Sequence, residues 1–293
     1  SQELRLEGSV GELQWVVGGY YLDLDINDSN GAISEPFIGG GGTTVEGSEG
    51  GLYSPYISTL TSQSLFGQIE YPLATDLTLI AGMRLIQDEK EFDFSVNAVE
   101  FLNPESKPGF ADDSNIALQA MLGEYNASRK DTEVASRLQL NWFPVEDILT
   151  YVSWNRGVKG GGYNAPIFPL TPPNYYDDDT LSYDPEQLDA YEIGVKSDVG
   201  EYGRLNVAAY YYDYTDYQIF NIIGLDTITI NSPDASSKGF EVEYQGQLGD
   251  NWDVLLGAAF NDAEAELADA SKTRPIQSPE WNYNGLLRYH IPL

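Results

Sequence analysis

Leu77-Thr-Leu-Ile-Ala-Gly-Met-Arg-Leu85 puts Leu77, Leu79, Ala81, Met83 and Leu85 on one side of an extended chain. Thr78, Gly82 and Arg84 fall on the other. A strand points successive side chains to opposite faces, so a period of two with one apolar and one polar set is a strand buried or lipid-covered on one face only. The same alternation returns along the chain. Val134/Leu138/Leu140/Trp142 oppose Arg137/Gln139/Asn141, and Tyr191/Ile193/Val195 oppose Glu192/Lys196. Phe240/Val242/Tyr244 oppose Glu241/Glu243/Gln245, and Trp252/Val254/Leu256/Ala258/Phe260 oppose Asp253 and Asn261. Tyr283/Leu287/Tyr289 oppose Asn282, Asn284 and Arg288. No long segment carries a helical period. The pattern predicts about eleven strands, near 2–9, 13–27, 56–72, 77–97, 131–144, 148–157, 188–199, 204–217, 237–248, 252–262 and 281–291.

The connections sharpen the fold class. Tight turns are expected at Gly11-Glu12, Leu73–Asp76, Pro144–Asp147, Gly200–Gly203 and Gly249–Asn251. Between them lie long loops near 28–55, 98–130, 158–187, 218–236 and 263–280. Short and long alternate, as in an outer-membrane barrel with short periplasmic turns and long extracellular loops; a Greek-key sandwich has no reason to do so. Trp15, Tyr71, Trp142, Tyr151, Tyr202, Trp252 and Tyr289 cluster near the short-turn ends, where a membrane–water interface selects Trp and Tyr. Packing at strand ends is the simpler alternative for any one of them. The expected architecture is an all-β, antiparallel transmembrane β-barrel over residues 1–293, and a partial one. First and last strands both run toward the short-turn side, so closing the set would join two parallel strands, whereas single-chain bacterial barrels have an even number of antiparallel ones.

Composition agrees and excludes. The 293 residues hold 46 Asp+Glu against 15 Lys+Arg, a formal charge of −31 that disfavours a nucleic-acid partner. There is no cysteine for a disulfide or thiolate site. No apolar run is long enough for a transmembrane helix. The opening Ser1–Ser9 reads as strand rather than secretory leader, so for an exported protein the natural N-terminus is expected upstream. Twenty-one Tyr, 11 Phe and 5 Trp suit a chain living at a water boundary.

Three stretches carry a likeness. They are Tyr151-Val-Ser-Trp-Asn-Arg-Gly-Val-Lys-Gly-Gly-Gly-Tyr-Asn164, the run from Leu181 through Pro185-Glu186 and Tyr191-Glu-Ile-Gly-Val-Lys196 to Gln218, and Asn231–Glu243 with its Lys238-Gly-Phe-Glu241. In this order they resemble the barrel of TonB-dependent receptors of the iron-complex outer-membrane type. Gln2–Leu6 and Trp15–Tyr21 are similar to an earlier strand pair of that family. The likeness covers most of the chain but includes neither the N-terminal plug and TonB-contacting box nor the last strands with their terminal aromatic. That family's barrel has about 22 strands around a plugged lumen, so roughly half of it is expected here. The resemblance implies a bacterial outer-membrane location, lipid contact, TonB as energising partner and uptake of a scarce ligand, most commonly a ferric siderophore, by the intact receptor. A passive porin-like channel and a soluble secreted carbohydrate-binding β protein are the rival readings.

Site expectations follow from the faces and loops. Glu70, Arg84, Arg137, Glu192, Lys196, Glu241, Glu243 and Arg288 occupy polar strand faces and are expected to line the lumen, either touching a plug or forming a solvated charge network. Tyr175-Tyr-Asp-Asp-Asp179, Tyr210–Tyr214, Phe92, Phe94 and Phe110 are assigned to long loops. Of these and the neighbouring Tyr163, the ligand-contact candidates are Tyr163, Tyr175, Tyr176, Asp177, Asp178 and Tyr214, whose rings could stack on cargo. Asp177–Asp179 lacks the spacing of a calcium loop and reads as a solvated acidic stretch. Gly160-Gly-Gly162 has no P-loop Lys-Ser/Thr after it and reads as a strand exit; Gly39–Gly42 reads as loop. His290 is the only histidine and no catalytic constellation stands out, so neither an enzyme nor a cofactor is expected.

Overall fold

A computed structural model describes residues 1–34, 37–38, 44–45, 50–101, 116–170, 175–198, 202–223, 225–249, 251–267 and 271–291. Phe110 and Gly39–Gly42 lie outside the described residues. In chain order the elements are β1 Gln2–Val10, β2 Leu13–Ser34, β3 Phe37–Ile38, β4 Thr44–Val45, β5 Gly50–Ala74 and β6 Leu77–Phe101. They continue with β7 Ile116–Val145, β8 Ile148–Lys159, β9 Gly162–Tyr163, α1 Asp178–Leu181, β10 Ser182–Tyr183 and β11 Glu186–Asp198. The chain finishes with β12 Gly203–Ile223, β13 Asp226–Leu248, β14 Trp252–Glu266, β15 Lys272–Thr273 and β16 Trp281–Tyr289.

One antiparallel sheet runs β1-β2-β5-β6-β7-β8-β11-β12-β13-β14, with β15 and β16 both pairing β14. Leaving out the two-residue β15, that is the set of long strands expected from the alternation. Among the described residues the sheet does not close: β1 pairs only with β2 and β16 only with β14. β3–β4 and β9–β10 are separate two-residue ribbons.

Register fixes both faces. Residues directly opposite in an antiparallel ladder point to the same side. A row can be followed from Trp15 through Ile69, Ala81, Leu138, Trp154, Tyr191 and Tyr211 to Lys238 and Asp262. It begins beside the turn at Gly11 and ends many residues from the turn at Gly249, so the strands are staggered as the tilted strands of a barrel wall are. On this outer face large apolar side chains stand uncovered: Met83 is 62% exposed, Leu65 71%, Tyr283 68% and Leu287 61%. Along β14 the outward apolar set Trp252–Phe260 spans nine residues. That is roughly 27 Å along a strand and, at a tilt of about 40°, close to the apolar belt of an outer-membrane barrel. Above it the outer face turns charged at Glu89 with Lys130, Arg156 with Asp189, and Lys238 with Asp262, each an ion pair.

Two expectations need correction. The described residues of the connections near 28–55, 98–130 and 218–236 are mostly strand, because β2, β5, β6, β7, β12 and β13 run on beyond the apolar belt. Above the lipid the outer face meets water while the inner face is covered, Phe92, Phe94 and Val96 of β6 being buried there, so the backbone ladder continues beyond the outward apolar set. Phe92, Phe94 and Tyr210–Tyr214, assigned above to loops, sit on β6 and β12, within the strand ranges 77–97 and 204–217 expected from the alternation. Tyr151 does not belong to an outward aromatic belt: it lies opposite Gly194 and Asn141 on the inner face, where its hydroxyl donates to Glu192.

Candidate functional site

The inner face receives the described residues 160–170 and 175–185 of the connection between β8 and β11, called the strut below. It folds against the wall over a buried cluster of Phe92, Phe94, Val96, Tyr125 and Leu181, with Tyr56, Leu122, Tyr163, Leu170 and Tyr176 packed around it. Phe92 is the hub: its ring centroid lies 5.2 Å from that of Tyr163, 6.0 Å from Phe94, 6.1 Å from Tyr56 and 6.3 Å from Tyr125. Glycine permits the approach. A Cβ at Gly123 would enter the Tyr176 ring, and one at Gly161 would come within 2.6 Å of the Tyr183 carbonyl and 2.8 Å of the Arg129 guanidinium carbon. The triglycine is thus a strand exit whose backbone is pressed against neighbours.

Polar bonds fasten the segment at both ends. Asn164 donates to the Thr229 carbonyl and accepts from the Thr229 amide, both at 2.8 Å. The Asp226 carboxylate accepts from the amides of Ile167 at 2.8 Å and Phe168 at 2.9 Å. At the other end Arg129 holds Asp131 with two bonds, at 2.7 and 2.9 Å, and donates to the Tyr183 carbonyl at 2.8 Å and to Asp184 at 3.1 Å. Lys90 donates to the Gly161 carbonyl, and burial pulls its ammonium below the usual lysine value. The strut therefore ties β6 and β7 to the tip of the β12–β13 hairpin. Asp226→Ala is expected to leave two amides without their acceptor, at about 1–3 kcal/mol each where water does not reach. Faster hydrogen exchange at Ile167 and Phe168 is the readout; unchanged protection contradicts the clamp.

The six ligand-contact candidates divide. Tyr163 is packed in the cluster, and Tyr176 approaches Phe94 at 6.3 Å while its hydroxyl accepts from the Leu170 amide at 3.1 Å. Asp177 caps α1, accepting from the Thr180 amide at 3.1 Å. Asp178 accepts from the Tyr125 hydroxyl, whose ionisation burial and that carboxylate push well above the usual phenol value. Asp177–Asp179 is thus the start of a helical turn rather than a free acidic stretch. Tyr175 is exposed, and Tyr214 stands half-buried on the inner face of β12, its ring 5.1 Å from Tyr217.

The eight polar-face residues share one sheet face by register. Glu70 opposes Ile80 and Gly82 opposes Arg137; Gln139 opposes Ser153, which opposes Glu192, and Gly194 opposes Ala208, which opposes Glu241. Arg84, Lys196, Glu243 and Arg288 keep the same parity. Phe92 and Phe94 do too, so charges and strut occupy the same side. Lys196 lies over the Tyr151 ring at 5.7 Å, and Arg288 pairs with Asp253 at 3.7 Å. Among the described residues no group of three or more His, Asp or Glu could hold a metal ion. Sequence reading missed Asp226, Arg129 and the clamp role of Asn164. Asn164 lay in a quoted motif, but nothing marks Asp226 before the fold brings it to the strut.

An apolar outer face, a polar inner face and a segment folded inward onto it are the parts of a plugged or gated barrel wall, and residues 2–292 match the family described as TonB dependent receptor-like, beta-barrel. The chain belongs to the TonB-dependent receptor β-barrel family. Such proteins are outer-membrane receptors and transporters rather than enzymes. Among solved structures it is similar to the ferric yersiniabactin uptake receptor FyuA from Yersinia pestis, at 16% identity and a TM-score of 0.68, covering 97% of this chain and 38% of that one. The siderophore receptor PiuA from Acinetobacter baumannii is similar at 17% identity and a TM-score of 0.63, with 97% and 42% covered. The copper transporter OprC is similar at 14% identity and a TM-score of 0.58, with 96% and 44% covered. At these identities the likeness is one of fold. The TonB-dependent receptor segment spans about two fifths of the length of the structures it matches.

Proposed function

We propose that this segment is wall and vestibule of a receptor that imports a scarce extracellular ligand, a ferric siderophore, across the outer membrane with energy delivered through TonB. The observation that carries the reading is the strut on the inner face of a wall whose other face is apolar. An open diffusion pore gains nothing from filling its mouth with a packed aromatic segment. The family membership and the siderophore-receptor neighbours support the ligand class; the copper transporter among the neighbours keeps other metal cargo as the competing outcome.

Within this reading Tyr175 and Tyr214 meet the cargo, with rings open to stacking. Tyr163, Tyr176, Asp177 and Asp178 act through the strut they hold. Glu70, Arg84, Arg137, Glu192, Lys196, Glu241, Glu243 and Arg288 line the lumen in which a plug would sit. The test is radio-iron uptake into cells expressing the intact receptor, with iron supplied on catecholate, hydroxamate and phenolate carriers, with and without a protonophore. Uptake of one carrier that stops when the proton gradient is dissipated is the expected result. Uptake indifferent to the gradient makes the protein a passive channel, and failure with every iron carrier removes the siderophore assignment.

A further inference from the structure

Most lysines and arginines of this acidic chain sit in ion pairs, including Arg5, Arg129, Lys130, Arg156, Arg204, Lys238, Lys272, Arg274 and Arg288. Two guanidinium groups break the pattern at neighbouring places on the inner face. Arg84 on β6 opposes Ala135, and Arg137 on β7 opposes Gly82, so the two are diagonal neighbours on one side of a strand pair. Such positions are about 7–8 Å apart, within reach of one another's long side chains. Among the described residues neither forms an ion pair with a carboxylate. Glu133, the nearest inner-face acid along β7, accepts instead from the Gln187 side chain at 3.0 Å.

Both groups are nonetheless held in place. The Arg84 Nε donates to the Ser64 hydroxyl at 2.9 Å, and its guanidinium carbon lies 5.4 Å from the Tyr20 ring centroid and 5.8 Å from that of Phe66. That bond engages Nε and leaves the terminal nitrogens for another acceptor. Arg137 donates through one terminal nitrogen to the Gln139 side-chain oxygen at 2.6 Å, and the Gln139 amide donates onward to Asn141 at 2.7 Å. Opposite Arg137 stands Gly82, with no side chain to fill the space above the ladder. On the outer face Met83 and Leu85, the immediate neighbours of Arg84, are lipid-type and exposed, so the pair lies at the depth of the apolar belt. Arg84 is half-buried and Arg137 exposed on the polar inner face, so both forks are reachable from that side, and two planar guanidinium forks suit an oxyanion bound through paired oxygens.

We infer that Arg84 and Arg137 form an oxyanion-binding site on the inner wall, taking a carboxylate or phosphate group. The oxyanion has two possible sources, a diffusible anion in the lumen or an acidic side chain of a protein segment lodged there, and the chemistry is the same for both. The inference requires only the barrel wall and stands whichever cargo the receptor imports.

The test uses the intact receptor purified from outer membranes, with citrate and inorganic phosphate as probes. Calorimetric binding and the thermal midpoint are followed for the parent protein, the R84Q/R137Q double variant and a K159Q control. Lys159 is an exposed cation far along β8. Saturable binding of either probe that weakens at least tenfold in the double variant and is unchanged in K159Q supports the site with a diffusible anion. No probe binding to the parent, joined to a lowered midpoint and new solvent accessibility of an inner-face cysteine reporter in the double variant alone, supports an acidic protein segment as occupant. Parent and double variant alike in both respects overturn the inference. R84K, which keeps charge but loses the fork, separates paired-oxygen binding from simple charge attraction.

Discussion

Arginine in place of Met83 is expected to destabilise the membrane-inserted protein by about 2–4 kcal/mol, the cost of a lipid-facing charge near the bilayer midplane of a barrel. Met83 points to the outer face, 62% exposed, between Ala81 and Leu85. Four residues further along β6, on the same face, Gln87 opposes Thr132 where the apolar run has ended. Arginine there is expected to cost no more than about 1 kcal/mol, because the interface hydrates it. Urea titration of both variants in lipid vesicles decides the matter. Equal losses would place the belt elsewhere on the wall, and no loss at Met83 would mean that this face does not meet lipid.

The second large effect is expected inside. Phe92→Ala removes a ring that is 4% exposed and in contact with four other aromatic rings. Truncating a buried Phe costs about 3–5 kcal/mol, since the transfer term is joined by a cavity. The loss should be local. The strut rests on that cluster, whereas β6 and its neighbours are also held by their ladder. Hydrogen exchange at the Asn164 amide, which donates to the Leu181 carbonyl at 2.8 Å, should accelerate by several hundredfold while amides at the level of Met83 hold their protection. Uniform acceleration across the sheet would show that strut and wall unfold as one unit, and protection unchanged at Asn164 would show that the aromatic cluster does not secure it.

The wall was legible in the sequence and the strut was not. Within the belt, lipid on one side and a polar lumen on the other impose a strict period of two, and Leu77–Leu85 displays it without any knowledge of neighbours. The parity that puts Glu70, Arg84, Arg137, Glu192, Lys196, Glu241, Glu243 and Arg288 on one face is visible for the same reason. Past the belt the alternation reverses: after Glu89, Lys90 and Glu91 the apolar set Phe92, Phe94 and Val96 faces inward while Asp93 and Ser95 face out, and the ladder continues to Phe101. The strut contacts join residues far apart in the chain, Phe92 to Tyr163 and Asn164 to Thr229, and no local period encodes them. Asp226 is one of many aspartates until two amides arrive at its carboxylate.

The charged pairs Glu89–Lys130, Arg156–Asp189 and Lys238–Asp262 form a waterline on the outside of the wall. Sliding the barrel downward would drag six ionised groups into hydrocarbon; sliding it upward would strip lipid from Met83, Leu65 and Tyr283. The outer surface of this wall therefore sets its own vertical position in the membrane. Because the strut hangs from the same strands, its height above the headgroups is set along with it, and whatever arrives from outside meets a doorway at a constant elevation.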